Sequence, residues 1–153
     1  MLQEICDFVH NYFILETKAG EFQISNGTMT VDGLKNGQRF RIKGSALNDG
    51  IFTYTEAGIL DDDCDEAVQL SDETFTGTVD LMGVPRALLQ LCGEIKAWTE
   101  ANGAALNSPF TSESFGGYSY SKPSGSGANG SGSGAYTWRD QFRSRLNTYR
   151  KLA

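Results

Sequence analysis

The chain has 153 residues, 39% of them hydrophobic, and a formal net charge of −6. That length accommodates one domain with an appendage. The acidic balance argues against a main task of binding nucleic-acid phosphates, which needs a dense Lys/Arg surface. The three cysteines lack CxxC spacing, which is typical of reduced cytosolic thiols. No apolar run is long enough to span a membrane, and the N-terminus lacks the pattern of a signal peptide.

Residues 1–13 are predicted to form an amphipathic N-terminal helix. The apolar and aromatic residues of this stretch fall at helical spacing: Leu2, Ile5, Cys6, Phe8, Val9, Tyr12 and Phe13. The end of this run, NYFILET, is equally compatible with a strand, because its apolar residues are consecutive and partly β-branched. The sequence therefore predicts where the first helix begins but not the residue at which it ends.

Residues 14–80 are predicted to form a small antiparallel β-subdomain. The segments EFQIS, TMTV, RFRIK and IFTYT alternate apolar and polar residues, and AVQL and TFTGTV close the set. Asn26-Gly27, Asp32-Gly33 and Asn36-Gly37 supply the positive φ angles that tight hairpins need. ALNDGIF joins two strands through a turn of the same kind. The acidic block between strands is predicted to be a solvated loop: Asp61, Asp62, Asp63, Asp65 and Glu66.

Residues 84–103 carry the clearest helix signal. The apolar residues fall roughly on one stripe: Val84, Leu88, Leu91, Cys92, Ile95 and Trp98. Pro85 suits the first turn of a helix, where its missing N–H costs nothing, and Asn102-Gly103 suits a C-terminal stop.

Residues 104–123 are predicted to be an extended segment, and residues 124–134 a Gly/Ser leash. Aromatic residues alternate with small ones around Gly116-Gly117. This pattern fits either a surface β-turn or an extended strand that adds to a neighbour's sheet. The candidate inter-subunit residues are Ser112, Glu113, Phe115, Tyr118 and Tyr120.

Residues 135–153 are predicted to form a C-terminal docking helix with an apolar and aromatic face. A lone helix of this length is marginal in water, so the face needs a docking surface, on its own β-subdomain or on a different chain. The leash favours a different chain, since an ordinary core helix rarely needs one. The candidate docking residues are types that dominate interface hot spots or complete the apolar face: Trp138, Arg139, Phe142, Arg143, Arg145, Leu146, Tyr149 and Arg150.

No constellation for catalysis or metal binding is present in the sequence. His10 is the single histidine and has no second histidine as a partner. The acidic block lacks the alternating ligands, central Gly and distant Glu of a calcium loop. Ser112-Glu113-Ser114 has no histidine or lysine nearby to activate a hydroxyl. The sequence therefore predicts a protein that is not an enzyme and needs no cofactor or metal.

Four stretches carry a family resemblance. They are GQRFRIKGSALNDGIFTY, LSDETFTGTVDLMGVP, SPFTSESFGGYSYSK and the terminal WRDQFRSRLNTYRKLA. Over most of its length the chain resembles head–tail connector (adaptor) proteins of tailed bacteriophages, of the type found in phages and prophages of Gram-positive bacteria. Many connectors of this group are almost wholly helical, so the β-subdomain is interpreted as an insertion. The expected fold is α+β: a short helical core interrupted by an antiparallel β-subdomain, then an extended C-terminal arm that ends in an amphipathic helix.

The resemblance implies a structural protein of the virion neck, between capsid and tail. Such adaptors form a ring, typically dodecameric, of identical subunits under the portal protein. The ring extends the channel for double-stranded DNA without sequence recognition and offers an attachment surface to a downstream neck or tail protein. The C-terminal arm would reach the portal. The acidic loop Asp61–Glu66 is a candidate channel lining, where like charge would keep DNA from sticking.

An alternative is a small β-rich module that binds a peptide or carbohydrate and has a C-terminal interaction helix. It requires an aromatic concave face on the β-subdomain, with Phe40, Phe52 and Tyr54 exposed together. The acidic block and the basic last fifteen residues in turn favour an electrostatically matched partner or neighbouring subunits.

Overall fold

The computed structural model describes residues 1–61, 67–106, 112–115, 118–121 and 137–151. It has both helices and an antiparallel sheet, which confirms the predicted α+β class. The elements are α1 (Leu2–Val9), β1 (Ile14–Ile24), β2 (Arg39–Lys43), β3 (Gly50–Thr55), β4 (Gly58–Asp61), β5 (Ala67–Val68), β6 (Glu73–Met82), α2 (Arg86–Leu106), β7 (Ser112–Phe115), β8 (Tyr118–Ser121), α3 (Trp138–Leu146) and a 3₁₀ turn (Asn147–Tyr149).

The first helix is shorter than the predicted residues 1–13. Four residues of the predicted apolar face are buried, namely Leu2, Ile5, Cys6 and Val9, and α1 packs against β3. Phe8 is half-buried, and Tyr12 and Phe13 lie beyond the end of the helix. It ends at His10, which adopts a left-handed conformation with φ of 53°. The ambiguous NYFILET run becomes a strand from its Ile onward.

The main sheet has six strands in the order β1-β6-β2-β3-β4-β5, and all neighbours are antiparallel. β6 therefore lies between β1, which precedes it by some fifty residues, and β2. One face of the sheet carries the apolar core, in which the rings of Phe40 and Phe52 lie 5.8 Å apart and those of Phe22 and Phe75 lie 5.5 Å apart. The buried core residues are Ile24, Met29, Val31, Phe40, Ile42, Ile59, Leu70, Phe75, Val79 and Leu81.

Two clusters of polar side chains connect different strands and loops of the sheet. On β6, Asp80 is fully buried; it accepts a hydrogen bond of 2.6 Å from Thr17 Oγ1 and lies 3.5 Å from Lys43 Nζ. At the end of the β2–β3 hairpin, the carboxylate of Glu73 accepts hydrogen bonds from Ser45 Oγ and, at 2.7 Å, from Asn48 Nδ2. Local charge patterns in the sequence do not reveal either cluster, because the partners come from different strands and loops.

The second helix begins where Pro85 predicts. The N–H groups of Leu88 and Leu89 donate to the Pro85 carbonyl at 2.9 and 3.2 Å. The predicted stop at residues 102–103 is wrong, since α2 continues to Leu106. Asn102 does not cap the helix: its side-chain amide donates to the carbonyl of Trp98 at 2.8 Å, inside the helix.

The chain divides into two compact units, Met1–Leu89 and Gln90–Ala153. The first unit contains α1 together with the six-stranded sheet, so the sheet is the centre of this unit. The second contains the larger part of α2, the hairpin β7–β8 and α3. The predicted leash, residues 124–134, lies outside the described residues.

Candidate docking surface

The C-terminal helix is shaped by its own first turn. α3 begins at Trp138, after the N-cap residue Thr137. Asp140, in the third helical position, accepts hydrogen bonds from the N–H and the hydroxyl of Thr137 at 3.1 and 2.9 Å, as in a capping box. Hydrogen bonding lowers the pKa of Asp140 below its ordinary value. The largest cause is the bond from the Thr137 N–H, and the Thr137 hydroxyl adds to it. The helix start is thus fixed locally by sequence.

The apolar face of α3 is buried within the chain. Trp138 and Phe142 are each 8% exposed, and Leu146 is 0% exposed. The ring of Phe142 meets that of Trp98 on α2 edge to face, with centroids 6.1 Å apart and planes at 86°. The expectation that Trp138, Phe142 and Leu146 await a different chain is therefore corrected.

An ion pair fixes α3 along α2. Arg145 donates two hydrogen bonds to the carboxylate of Glu94, at 2.5 and 3.0 Å, in a fork-to-fork geometry. The pair lowers the pKa of Glu94 and raises that of Arg145. Glu94 and Trp98 lie one turn apart on α2, so both contacts to α3 come from the same helix face. Glu94 is not among the residues predicted from the sequence. Its four-residue spacing to Trp98 could have indicated that both residues lie on one face of α2.

Because of the predicted leash, the sequence favoured docking of α3 on a different chain, whereas α3 packs against α2 of its own chain. A long linker is weak evidence against docking within one chain, because the entropic cost of closing a loop rises only slowly with its length. Trp98, on α2 of the same chain, supplies an aromatic surface for α3. The aromatic contact between Phe142 and Trp98 therefore forms within one chain and needs no second protein.

The outer side of α3 remains basic. Arg139 is exposed and its guanidinium lies 4.6 Å from the Trp138 ring centroid. Arg143 has a side chain 53% exposed and lies 3.3 Å from Asp140. Arg150 and Lys151 are exposed and Tyr149 is half-buried. Of the eight predicted docking residues, Arg139, Arg143, Arg145 and Arg150 are exposed and Tyr149 is half-buried.

The predicted extended segment is a hairpin. β7 and β8 pair antiparallel, with Ser112 opposite Ser121, Glu113 opposite Tyr120, and Phe115 opposite Tyr118. Of the two alternatives that the sequence left open here, the antiparallel pairing of β7 with β8 agrees with a turn between Phe115 and Tyr118. Addition of this segment to a neighbour's sheet stays a prediction.

The acidic loop is described only at its beginning. Asp61 ends β4 opposite Phe52 and helps to line a cavity of about 230 Å³ with Met1, Gln3 and Asp49. Asp62, Asp63, Asp65 and Glu66 lie outside the described residues, so the channel-facing role of this loop stays a prediction.

A metal site, a membrane-spanning helix and an aromatic binding face are the other features considered for the described part of the chain. No group of three or more His, Cys, Asp or Glu side chains is placed to hold a metal ion there, and no helix there is long and apolar enough to cross a membrane. The aromatic face required by the binding-module alternative is not formed, since Phe40 is fully buried and Phe52 and Tyr54 pack against the core.

Comparison with known proteins identifies no relatives. No family model matches the chain, and neither a curated protein nor a solved structure shows significant similarity to it. The docking surface therefore stands on its own residues and geometry.

Proposed function

We propose that this chain is a head–tail connector of a tailed bacteriophage, a non-enzymatic structural protein of the virion neck. Identical subunits form a ring under the portal protein, extend the DNA channel and offer a surface to the next neck or tail protein. The support is the resemblance of four sequence stretches to such connectors, together with a C-terminal helix suited to docking.

The observation that carries the proposal is the two-sided character of α3. Its apolar side is buried, and Phe142 meets Trp98 of α2, so the helix is held before a partner arrives. Its outer side presents Arg139 and Arg143, and Arg150 is exposed after the 3₁₀ turn that follows the helix. A pre-ordered binding element loses less conformational entropy on association than a disordered tail.

The chemistry of the surface indicates the chemistry of its partner. Arginine is enriched at interfaces and pairs with carboxylates through two parallel hydrogen bonds. The portal face that receives α3 is therefore expected to be acidic. Arg145 donates two hydrogen bonds to Glu94, whereas Arg143 is paired with Asp140 through one, so Arg145 is expected to contribute less to the partner.

Binding to the cognate portal tests the proposal. Full-length chain is mixed with purified portal, and co-sedimentation gives the apparent Kd. The paired change Arg139→Gln and Arg143→Gln is expected to weaken binding about tenfold, equivalent to ~1.4 kcal/mol. The matched control, Lys35→Gln with Arg86→Gln, removes two exposed charges elsewhere and is expected to leave binding unchanged.

Deletion of residues 136–153 completes the test, because it removes the whole element. It is expected to abolish portal binding while the six-stranded sheet stays folded, as judged by circular dichroism. The proposal is overturned if the deleted chain binds the portal as the full chain does.

A further inference from the structure

Three Asn-Gly pairs lie in the described part of the chain, at residues 26–27, 36–37 and 102–103. In such a pair the backbone nitrogen of the glycine can attack the side-chain carbonyl carbon of the asparagine, because glycine has no side chain to obstruct the approach. This reaction is one reason why asparagine counts among the thermolabile residues. The hydrogen bonds around each pair decide how readily it reacts.

Two of these pairs are restrained at the asparagine. The Oδ1 atom of Asn36 accepts a hydrogen bond of 3.2 Å from the backbone N–H of Glu56. The Nδ2 atom of Asn102 donates to the carbonyl of Trp98 at 2.8 Å, within α2. Each of these side-chain amides has to break its bond before it can turn toward the nitrogen of the following glycine.

The pair Asn26-Gly27 is restrained at the glycine instead. The side chain of Asn26 is exposed and has no hydrogen-bond partner in the described part of the chain. Gly27 is buried, and its N–H donates to Asp72 Oδ1 at 2.9 Å. The carbonyl of Gly27 accepts a hydrogen bond of 3.1 Å from the N–H of Leu70. The segment before β6 thus holds Gly27 at both its N–H and its carbonyl.

The carboxylate of Asp72 opposes attack by the Gly27 nitrogen in two ways. The nitrogen attacks after it has lost its proton, and a carboxylate beside the N–H disfavours the negative charge that results. The hydrogen bond also has to break before the nitrogen can turn toward the side chain of Asn26. Asp72 does not act as the base, because a carboxylate is far weaker as a base than the amide anion that proton removal creates.

We propose that Asn26 is a deamidation site and that Asp72 restrains its reaction in the folded chain. In the reaction a bond forms from Gly27 N to Asn26 Cγ. The proton of the Gly27 N–H passes through solvent to the side-chain nitrogen, which leaves as ammonia. Water then opens the cyclic imide to aspartate or isoaspartate. The inference does not depend on the proposed function.

Isoaspartate at position 26 would alter the turn that contains it. Asn26 and Gly27 have φ of 54° and 72°, as in the two-residue turns of tight hairpins. Ser25 and Thr28, on either side of them, exchange backbone hydrogen bonds of 3.0 and 3.2 Å. Isoaspartate adds a carbon atom to the backbone, so the two flanking residues no longer face each other. Deamidation would therefore open this turn and add a negative charge close to Asp72.

The rate of ammonia loss from the full chain tests the inference. The chain is incubated in mildly alkaline buffer, and peptide mapping follows the mass gain at Asn26 and Asn36, which trypsin separates because Lys35 lies between them. Asp72→Ala is expected to speed the reaction at Asn26 several-fold and to leave that at Asn36 unchanged. The matched control, Asp32→Ala, removes an exposed carboxylate from another turn and is expected to change neither rate.

Asn36 serves as the internal standard, because the N–H of Gly37 donates to the carbonyl of Tyr54 at 2.8 Å and not to Asp72. The inference is overturned if Asp72→Ala leaves the rate at Asn26 unchanged. It is also overturned if the rates at Asn26 and Asn36 rise equally, since the variant would then have loosened the fold as a whole.

The unaltered chain supplies a second measurement that needs no variant. Asn26 is expected to react several-fold faster in urea, where the bond between Gly27 and Asp72 is lost, than in the folded chain. Equal rates of reaction at Asn26 in the folded and the unfolded chain would likewise overturn the inference.

Discussion

The carboxylate of Glu73 joins two loops at one end of the sheet. The Ser45 hydroxyl, the Asn48 amide and the backbone N–H groups of Leu47 and Ala46 hold the pKa of Glu73 below its ordinary value of 4.5. Its contribution to stability is therefore fully present above pH 4.5 and is lost as the pH falls through the lower, folded value. The sequence LNDG indicates only the turn, because the acceptor lies more than twenty residues away.

Glu73→Gln should make the free energy of unfolding less dependent on pH in acid. The reason is that a glutamine does not take up a proton there. Urea unfolding at about pH 5 and about pH 3 measures the effect. Glu56→Gln, at an exposed turn residue, is the control and should retain the steeper acid loss. Equal acid dependence in both variants would contradict the assigned role of Glu73.

Asp80 is the buried carboxylate that links β1, β6 and β2. Asp80→Ala should lower the free energy of unfolding by about 2–3 kcal/mol, because Thr17 loses its acceptor and Lys43 its counter-ion. In a double-mutant cycle, Thr17→Ala should couple to Asp80→Ala by at least ~0.5 kcal/mol. The exposed Thr74, also on β6, should show no coupling. A Thr17 coupling energy no larger than that of Thr74 would refute the contact.

At the scale of elements, two glycines should respond with opposite signs. A Cβ on Gly77 of β6 would lie 2.2 Å from the carbonyl oxygen of Lys43, so β2 and β6 must move apart. Gly77→Ala should cost about 1–3 kcal/mol of stability or more. On α2, a Cβ on Gly93 meets nothing within 4 Å, and Gly93→Ala should stabilise by about 0.5–1 kcal/mol. Thermal unfolding of both variants decides the matter; a stable Gly77→Ala chain would contradict the β2–β6 geometry.

The apolar face of α3 is buried within the chain, with Phe142 against Trp98 of α2. Leu146→Ala should cost about 2–5 kcal/mol, because the side chain is fully buried. Hydrogen exchange of the α3 amides should accelerate accordingly. Arg143→Ala, on the exposed side, should change stability by no more than ~0.5 kcal/mol. Similar exchange rates in both variants would show that the apolar face is not held within the chain.

Elements encoded by neighbouring residues were predicted well. Pro85 marks the start of α2, Asn26-Gly27 makes a hairpin turn, and the spacing of Trp138, Phe142 and Leu146 marks one face of α3. Each of these signals acts within a few residues along the chain, through a fixed φ, a positive φ or a helical repeat.

Features that need distant partners were not predicted. The stripe on α2 includes Trp98, yet nothing in the spacing says that Phe142 packs against it. The place of β6 between β1 and β2 likewise depends on pairing between distant segments. Of the candidate docking residues, the sequence identified the arginines of the surface but misassigned the apolar residues, because hydrophobic periodicity identifies a buried face without identifying what buries it.

At the scale of the whole molecule, the distribution of charge is uneven. A chain of net charge −6 keeps a cluster of exposed basic residues at one end, on the helix that is closed by Asn147–Tyr149. In the proposed account, this basic helix binds an acidic surface of the portal.

Electron microscopy of the chain mixed with its cognate portal tests the central claim most directly. The account predicts a ring of this chain coaxial with the portal, with α3 against an acidic portal surface, and loss of the ring when residues 136–153 are deleted. Absence of a ring beneath the portal, or a ring formed equally well by the deleted chain, would contradict it.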